Sequence, residues 1–252
     1  KLSLDKTIER MASGTKINRS EDDPFAYSKS ERMRAQISGI LQSKNNASQG
    51  VSLLQVADSS LEEVVNILIR MRELSVSSAN DMMGPEERSY INQEYESLRD
   101  ELKRIEQATS YNEIDLFSGL NKELSFQVDL SQSEYNEVKL NMKKFKISTK
   151  SWGLDSLNLN DSNEAKMLMP NINNAMNSVL RQRSMLGTVM NRLESTISSL
   201  SHSFDNMKIE HADLIETDIA LESTEFVKKN ILMQAGISVL TQSKNLSNMA
   251  LK

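Results

Sequence analysis

The chain has 252 residues, of which 30 are Lys or Arg and 35 are Asp or Glu, so its formal net charge is −5 at pH 7. A negative balance argues against general binding to polyanions such as nucleic acid. Only 8 Gly and 3 Pro are present, which argues against sandwiches, barrels and doubly wound sheets because those folds need many tight turns. The chain has no Cys, so disulfides, thiolate metal sites and cysteine nucleophiles are excluded.

Residues 1–25 are predicted to form a short amphipathic helix followed by a turn. Leu4, Ile8 and Met11 recur at helical spacing. The pattern is already under way at residue 1, which is Lys rather than Met, so we expect the natural protein to begin earlier. The carboxylate pair Asp22–Asp23 precedes a Pro, and this combination is a signal for a turn and a helix start.

A long helix is predicted over about residues 26–80. Apolar or small residues recur there in steps of three and four, as in a coiled-coil seam, with an interruption at Lys44. At 1.5 Å per residue such a helix is roughly 80 Å long. The stretch 77–84 ends it, and Pro85, followed by two Glu residues, is typical of the start of a second helix.

Between about residues 120 and 148 the hydrophobic period changes to two. Apolar residues alternate with polar ones on both sides of a polar stretch at 131–136, which predicts a β-hairpin. The pair Lys143–Lys144 breaks the alternation and predicts a bulge. A lone hairpin is marginally stable in water, so we expect this one to pack on the helices.

The heptad pattern then returns in the C-terminal part of the chain. Pro170 is predicted to open a helix over residues 170–212, in which only Arg183 interrupts the seam. An acidic stretch at 213–222 resets the register, and a last apolar pattern continues to the C-terminus. The predicted divisions are therefore 1–25, 26–169, 170–212 and 213–252.

Together these patterns predict a mostly α fold, in which long coiled-coil helices from both termini form a rod that carries a small β-hairpin. The alternative is an ordinary helical bundle, because the same patterns also describe a simple core. The apolar seams near the two termini would lack partners without neighbouring subunits. This favours a rod that assembles laterally.

No group of residues points to catalysis or to a bound metal. His202 and His211 are nine residues apart, which is a poor spacing for two ligands on one helix. Asp22 and Asp23 have no second acidic or histidine cluster in the sequence beside them. Glycine-rich phosphate-binding motifs are missing from the sequence. We therefore expect no enzyme activity and no cofactor.

Several motifs resemble those of the bacterial flagellin family. Residues 8–14 resemble the end of the flagellin leader helix, and the paired Asp turn at 22–23 follows at the family's position. Met11, Ala12 and Pro24 depart from the residues that are more common in the family, which are Leu, Ser and Ala. Further similar segments lie in both halves of the chain, at residues 68–74, 124–128, 186–193 and 231–240.

The resemblance implies a short, core-only flagellin without variable outer domains, whose subunits polymerise into a flagellar filament for motility. An inner layer of terminal helices would then be packed through five residues, which are Ile8, Met11, Leu232, Ala235 and Val239. The hairpin is where the family changes between packing states, and we assign that switch to three residues, which are Phe126, Val128 and Leu140.

The resemblance also implies partners and a location. Expected partners are further copies of the chain, an export chaperone, cap and junction proteins, and a Toll-like innate immune receptor, which would contact Arg70, Leu74 and Glu94. We expect export to the flagellum, either outside the cell or in the periplasm. Nucleic acid and membrane insertion are not expected, the latter because the sequence has no run of 18 apolar residues.

Two alternatives to a filament subunit remain open at this point. One is the hook-filament junction protein of the same superfamily, which shares the terminal helices. The other is a non-polymerising helical binding module, such as the partner of a secretion chaperone or a coiled-coil scaffold. Such a module would stay monomeric or dimeric at every concentration.

Overall fold

The computed structural model describes residues 2–119, 123–129 and 137–250, and this part of the chain is mostly α-helical. The helices are α1 (Leu2–Ser13), α2 (Pro24–Ser78), α3 (Pro85–Ala108), α4 (Ser162–Ile215) and α5 (Ile219–Ala250). The strands are β1 (Ser110–Tyr111), β2 (Ile114–Asp115), β3 (Glu123–Gln127) and β4 (Glu137–Asn141). The predicted fold class, long helices toward both ends of the chain with a small hairpin, is confirmed.

The chain divides into two compact units. Unit 1 contains Lys1–Ile40 and His202–Lys252, and unit 2 contains Leu41–Ser201. Both α2 and α4 run from one unit into the other. None of the described helices has the length and apolar character that would let it cross a membrane.

In unit 1, α1 packs against α5. Thr7 is almost fully buried, and its hydroxyl accepts a hydrogen bond of 2.8 Å from Lys229 Nζ. The segments that follow α1 and α4 form an isolated β-bridge between Thr15 and Glu216. Gly14 has a φ of 71°, a left-handed conformation that glycine adopts without a steric penalty, and its carbonyl accepts a hydrogen bond from Thr217 N.

The core of unit 2 is the seam that the heptad pattern predicted. Side chains from α2, α3 and α4 that contribute to it and are less than 1% exposed include Leu54, Leu61, Val64, Leu68, Met71, Tyr95, Leu102, Ala175, Val179 and Leu186. Burying one such Leu or Val contributes about 1.5–3 kcal/mol relative to leaving it in water. Apolar burial along the seam is therefore the main stabilising contribution in this unit.

The prediction that Pro170 opens the C-terminal helix is wrong, because α4 begins at Ser162 and Pro170 lies inside it. The Ser162 hydroxyl donates to the Ala79 carbonyl at 3.1 Å, which fixes the helix start beside the end of α2. Ala165 and Leu168 in the added turns are completely buried. Their burial offsets the backbone hydrogen bond that a Pro in a helix interior cannot donate.

β3 and β4 form the predicted antiparallel hairpin, in which Phe126 pairs with Val138 and Leu124 pairs with Leu140. The predicted connection at 131–136 lies outside the described residues. The prediction of a bulge at Lys143–Lys144 is wrong, since Met142–Lys144 form a short 3₁₀ helix. This tight turn lets Met142 and Phe145, three residues apart, both reach the core.

A second, much shorter hairpin joins β1 to β2 through Asn112 and Glu113. Both residues have positive φ, 48° for Asn112 and 65° for Glu113. Two-residue hairpin turns of this kind match the twist of the strands, and Gly is the usual second residue. Glu113 carries a Cβ in the left-handed region, which costs roughly 1–2 kcal/mol.

We expect Glu113→Gly to raise the free energy of unfolding by about 0.5–1 kcal/mol, because glycine relieves the strain at this position while losing some chain entropy. Urea denaturation of the purified chain measures this change. Glu113→Ala is the control, since it removes the carboxylate but keeps the Cβ, and it should leave stability within about 0.5 kcal/mol. Equal stabilisation by both variants would assign the effect to charge and contradict the strain.

Candidate functional site

Over residues 231–243, α5 presents an extended exposed apolar surface in unit 1. Residues 231–243 are all exposed, including Leu232 at 62%, Val239 at 67% and Ala235. A shallow groove of about 620 Å³ begins one turn earlier, where Val227, Ile231 and Leu232 line it. Extended exposed apolar surfaces of this kind mark interaction sites.

On α1, the two predicted packing residues differ in exposure. Ile8 is 46% exposed, whereas Met11 is half-buried. Both belong to the helix that packs on α5, so the structure brings the five predicted residues onto one pair of helices. Whether they contact a neighbouring subunit stays a prediction.

The two carboxylates at the turn after α1 have structural partners. Asp22 accepts a hydrogen bond of 2.8 Å from Lys6 Nζ, which lowers the pKa of Asp22 below its ordinary value, and it also accepts from the backbone of Asn18. Asp23 accepts hydrogen bonds from the backbone N–H groups of residues 25 and 26. It therefore caps α2, which confirms the predicted helix-start role.

His202 is exposed and His211 is half-buried, both on α4. Within the described residues, no group of three or more His, Asp or Glu side chains is arranged to hold a metal ion.

The β3–β4 hairpin packs on a small residue of α2. A Cβ built on Gly50 would lie 3.0 Å from Phe126 Cδ1 and 3.1 Å from Leu193 Cδ1, so the glycine provides the space for both side chains. One turn earlier, Asn46 Nδ2 donates to the Gln127 carbonyl at 3.2 Å. We call the contact between Gly50, Phe126 and Leu193 the hairpin seat.

The three residues assigned to the hairpin switch do not have equivalent environments. Val128 and Leu140 are 6% and 3% exposed and belong to the core. Phe126 is half-buried and lines a cleft of about 330 Å³ beside α2. The seat is a feature that periodicity could not reveal, although a glycine in the middle of a long helical pattern was its signal in the sequence.

Arg183, the residue that interrupts the seam of α4, forms a bidentate ion pair with α2. Its Nε lies 2.8 Å from Asp58 Oδ1 and its Nη2 lies 3.0 Å from Asp58 Oδ2, and Glu62 is 3.2 Å away. The hydrogen bond with Asp58 raises the pKa of the Arg183 guanidinium. Planar, two-point geometry makes such pairs specific as well as attractive.

The residues that were assigned to a receptor contact lie on and under the surface formed by α2 and α3. Arg70 Nε is 2.6 Å from Glu94 Oε1, and Arg70 Nη1 is 3.1 Å from Glu73. Leu74, in contrast, is only 5% exposed. Leu74 continues the buried row of Ile67 and Met71 and belongs to the core, so little of its side chain is open to a receptor.

Two family models match the chain. The bacterial flagellin N-terminal helical region matches residues 1–122, and the bacterial flagellin C-terminal helical region matches residues 169–252. These two regions leave out residues 123–168, which include the β3–β4 hairpin and the first residues of α4.

Individual relatives match over nearly the whole chain. A flagellin of Halalkalibacterium halodurans is 34% identical over 238 residues, which is 94% of this chain and 87% of the relative. The flagellar filament 33 kDa core protein of Treponema phagedenis is 30% identical over 262 residues, covering 99% of this chain and 92% of that protein. The crystal structure of Bacillus cereus flagellin has a TM-score of 0.55 and 27% identity, and covers 62% of this chain and 88% of that one.

The hairpin seat makes a prediction about Gly50. Alanine is about 1 kcal/mol better than glycine in a helix, but here the added methyl must displace Phe126 or Leu193, and overpacking costs about 1–3 kcal/mol. We expect Gly50→Ala to lower the free energy of unfolding by up to about 2 kcal/mol and to speed amide exchange in β3. Urea denaturation measures the change in the free energy of unfolding, and hydrogen exchange measures the change in the amide exchange rate of β3.

Gly187→Ala is the matched control in α4, because a Cβ at Gly187 would meet nothing within 4 Å. It should raise stability by up to about 1 kcal/mol. If Gly50→Ala stabilised the protein to the same extent, the hairpin would not depend on the glycine.

Proposed function

The chain belongs to the bacterial flagellin family, and on that basis we propose that its copies associate through the exposed apolar faces of α1 and α5. The chain is a structural subunit of a flagellar filament, as are relatives that match it along nearly its full length. The junction-protein and binding-module alternatives are not favoured by these matches. Flagellins are structural proteins, and we propose no enzymatic activity for this one.

The observation that carries the proposed interface is the exposure of α5. Leu232 and Val239 are seven residues apart, so they lie on one face of the helix, and Ala235 falls between them. Covering such a face with another helix lowers the free energy, because the stabilisation is proportional to the apolar area removed from water. We assign Ile8 and Met11, on α1, to the surface of a neighbouring copy that covers this face of α5.

Leu232→Asp combined with Val239→Asp tests this interface. Burying two carboxylates in place of apolar side chains is unfavourable by several kcal/mol, so we expect the critical concentration for filament growth to rise at least about a hundredfold. Both positions are exposed in the single chain, so its helix content by circular dichroism should not change. Sedimentation and negative-stain microscopy of seeded protein measure growth.

Gln234→Glu combined with Thr241→Glu is the matched control, because it adds the same charge to exposed polar positions on the opposite face of α5. This variant should assemble close to normally. Filaments of normal diameter from the Leu232 and Val239 variant at ordinary concentrations would contradict the proposed interface.

We propose that the hairpin controls the packing state of the filament. Val128 and Leu140 are anchored in the core, whereas Phe126 is half-buried at the hairpin seat, so Phe126 is the residue that can move without opening the core. Filaments grown from Gly50→Ala protein should therefore differ in helical pitch from those of the unchanged chain. An unchanged pitch would remove Phe126 from this role.

Export to an extracellular or periplasmic filament, with an export chaperone and cap and junction proteins as partners, is part of the same proposal. Recognition by a Toll-like receptor is also proposed, and Leu74 is left out of it because it is buried. Arg70 and Glu94, about half-exposed and paired on one surface, provide the polar contact.

Arg70→Glu should reduce receptor activation by the purified monomer at least about tenfold, because it replaces a cation with an anion beside Glu94. A cell-based receptor reporter assay measures this. Arg104→Glu is the matched control, since Arg104 pairs with Glu101 on α3 in a similarly exposed way. No response to the unchanged monomer, or an equal loss in both variants, would contradict the proposed contact.

A further inference from the structure

A groove in unit 2 is lined by side chains from both α2 and α4. Ile69, Val76 and Met176 are its apolar lining, and Arg72, Glu73 and Ser77 form its remaining wall. Ile69 is 43% exposed and Val76 is 54% exposed. The groove has a volume of about 690 Å³, which is enough for several side chains of a docked helix. We call it the α2–α4 groove.

The two charged residues that line the groove differ in whether they have an ion-pair partner. Glu73 is engaged by Arg70, at 3.1 Å. Arg72 is exposed, and within the described part of the chain it has no hydrogen bond or ion pair. A segment that combines an apolar side chain with carboxylates would therefore complement the groove both in shape and in charge.

The C-terminal part of α4 and the residue that follows it, Glu216, present such a segment in unit 1. Asp205, Ile209, Asp213 and Glu216 follow one another at steps of four, four and three residues, which places them on one face of the helical path. Ile209 is 60% exposed, and the three acidic residues are exposed as well. Their carboxylates have no partner among the described residues. We call these four residues the acidic stripe.

We propose that the acidic stripe of one subunit docks into the α2–α4 groove of a second copy, with Ile209 against Ile69, Val76 and Met176 and with the carboxylates facing Arg72. This inference rests on the proposed polymerisation and names one of its contacts. Groove and stripe are different surfaces of the same chain, so the contact is heterologous and can repeat without closing, as an open filament requires.

The experiment exchanges the charges of the two surfaces. Arg72→Glu reverses the groove. The paired change Asp205→Lys and Asp213→Lys, treated as one variant, reverses the stripe, because its two cations outnumber the remaining carboxylate of Glu216. Arg72 has no intrachain ion pair to lose, and a cation near the C-terminus of α4 suits the helix dipole, so both monomers should fold normally. The measured quantity is the critical concentration for seeded growth, for each variant alone, for their equimolar mixture and for the double variant.

Each single variant places like charges opposite each other at every contact, so its critical concentration should rise about tenfold or more. In the equimolar mixture, subunits that alternate have complementary charges at every contact. The mixture and the double variant should therefore both return to within about threefold of the unchanged chain. Restoration by mixing two defective proteins is specific to a heterologous contact between these surfaces.

Three results would overturn the inference. Normal growth of either single variant would show that the contact is not made, and failure of both the mixture and the double variant to recover would show that the two surfaces do not meet. Loss of receptor activation in Arg72→Glu with normal growth would assign the groove to the receptor instead. If the unchanged chain itself did not polymerise, the proposed function would fail first, which separates the two cases.

Discussion

The apolar seam between α2 and α4 is the constraint on which the rest of unit 2 depends. Contacts of Gly50 with Leu193 and of Asp58 with Arg183 place later residues of α2 opposite earlier residues of α4, so the two helices are antiparallel. Along the seam, apolar side chains are removed from water at nearly every inward position. The third helix, the hairpin and the loop before α4 all pack against this pair.

The places where the seam departs from a regular heptad are those with specific geometry. Gly50 replaces a side chain with space, and the ring of Phe126 occupies that space. Arg183 replaces an apolar side chain with a cation, and two acidic residues of α2 neutralise it at the edge of the core. In each case a residue distant in the sequence fills the space or neutralises the charge. The irregular position therefore does not destabilise the core.

The exposed apolar surfaces of the two units have a common explanation. A monomer gains nothing from exposed Leu232 and Val239 on α5, from Ile209 on α4, or from the apolar groove in unit 2, whereas an assembly covers such surfaces. In the assembly that we propose, the buried seam supplies rigidity and the exposed apolar faces supply association. Stability and function therefore use the same hydrophobic effect on different faces of the same helices.

The sequence by itself determined the presence of the long helices, the β3–β4 hairpin and the family. Hydrophobic periods of 3.6 or 2 residues and short motifs depend only on residues that are close together in the sequence. Only the tertiary structure decided that Pro170 lies inside α4, since that depends on the burial of Ala165 and Leu168 against other elements. It also decided that Leu74 is covered and that Arg183 reaches Asp58. Pairing and burial depend on residues far away in the chain, which no local pattern encodes.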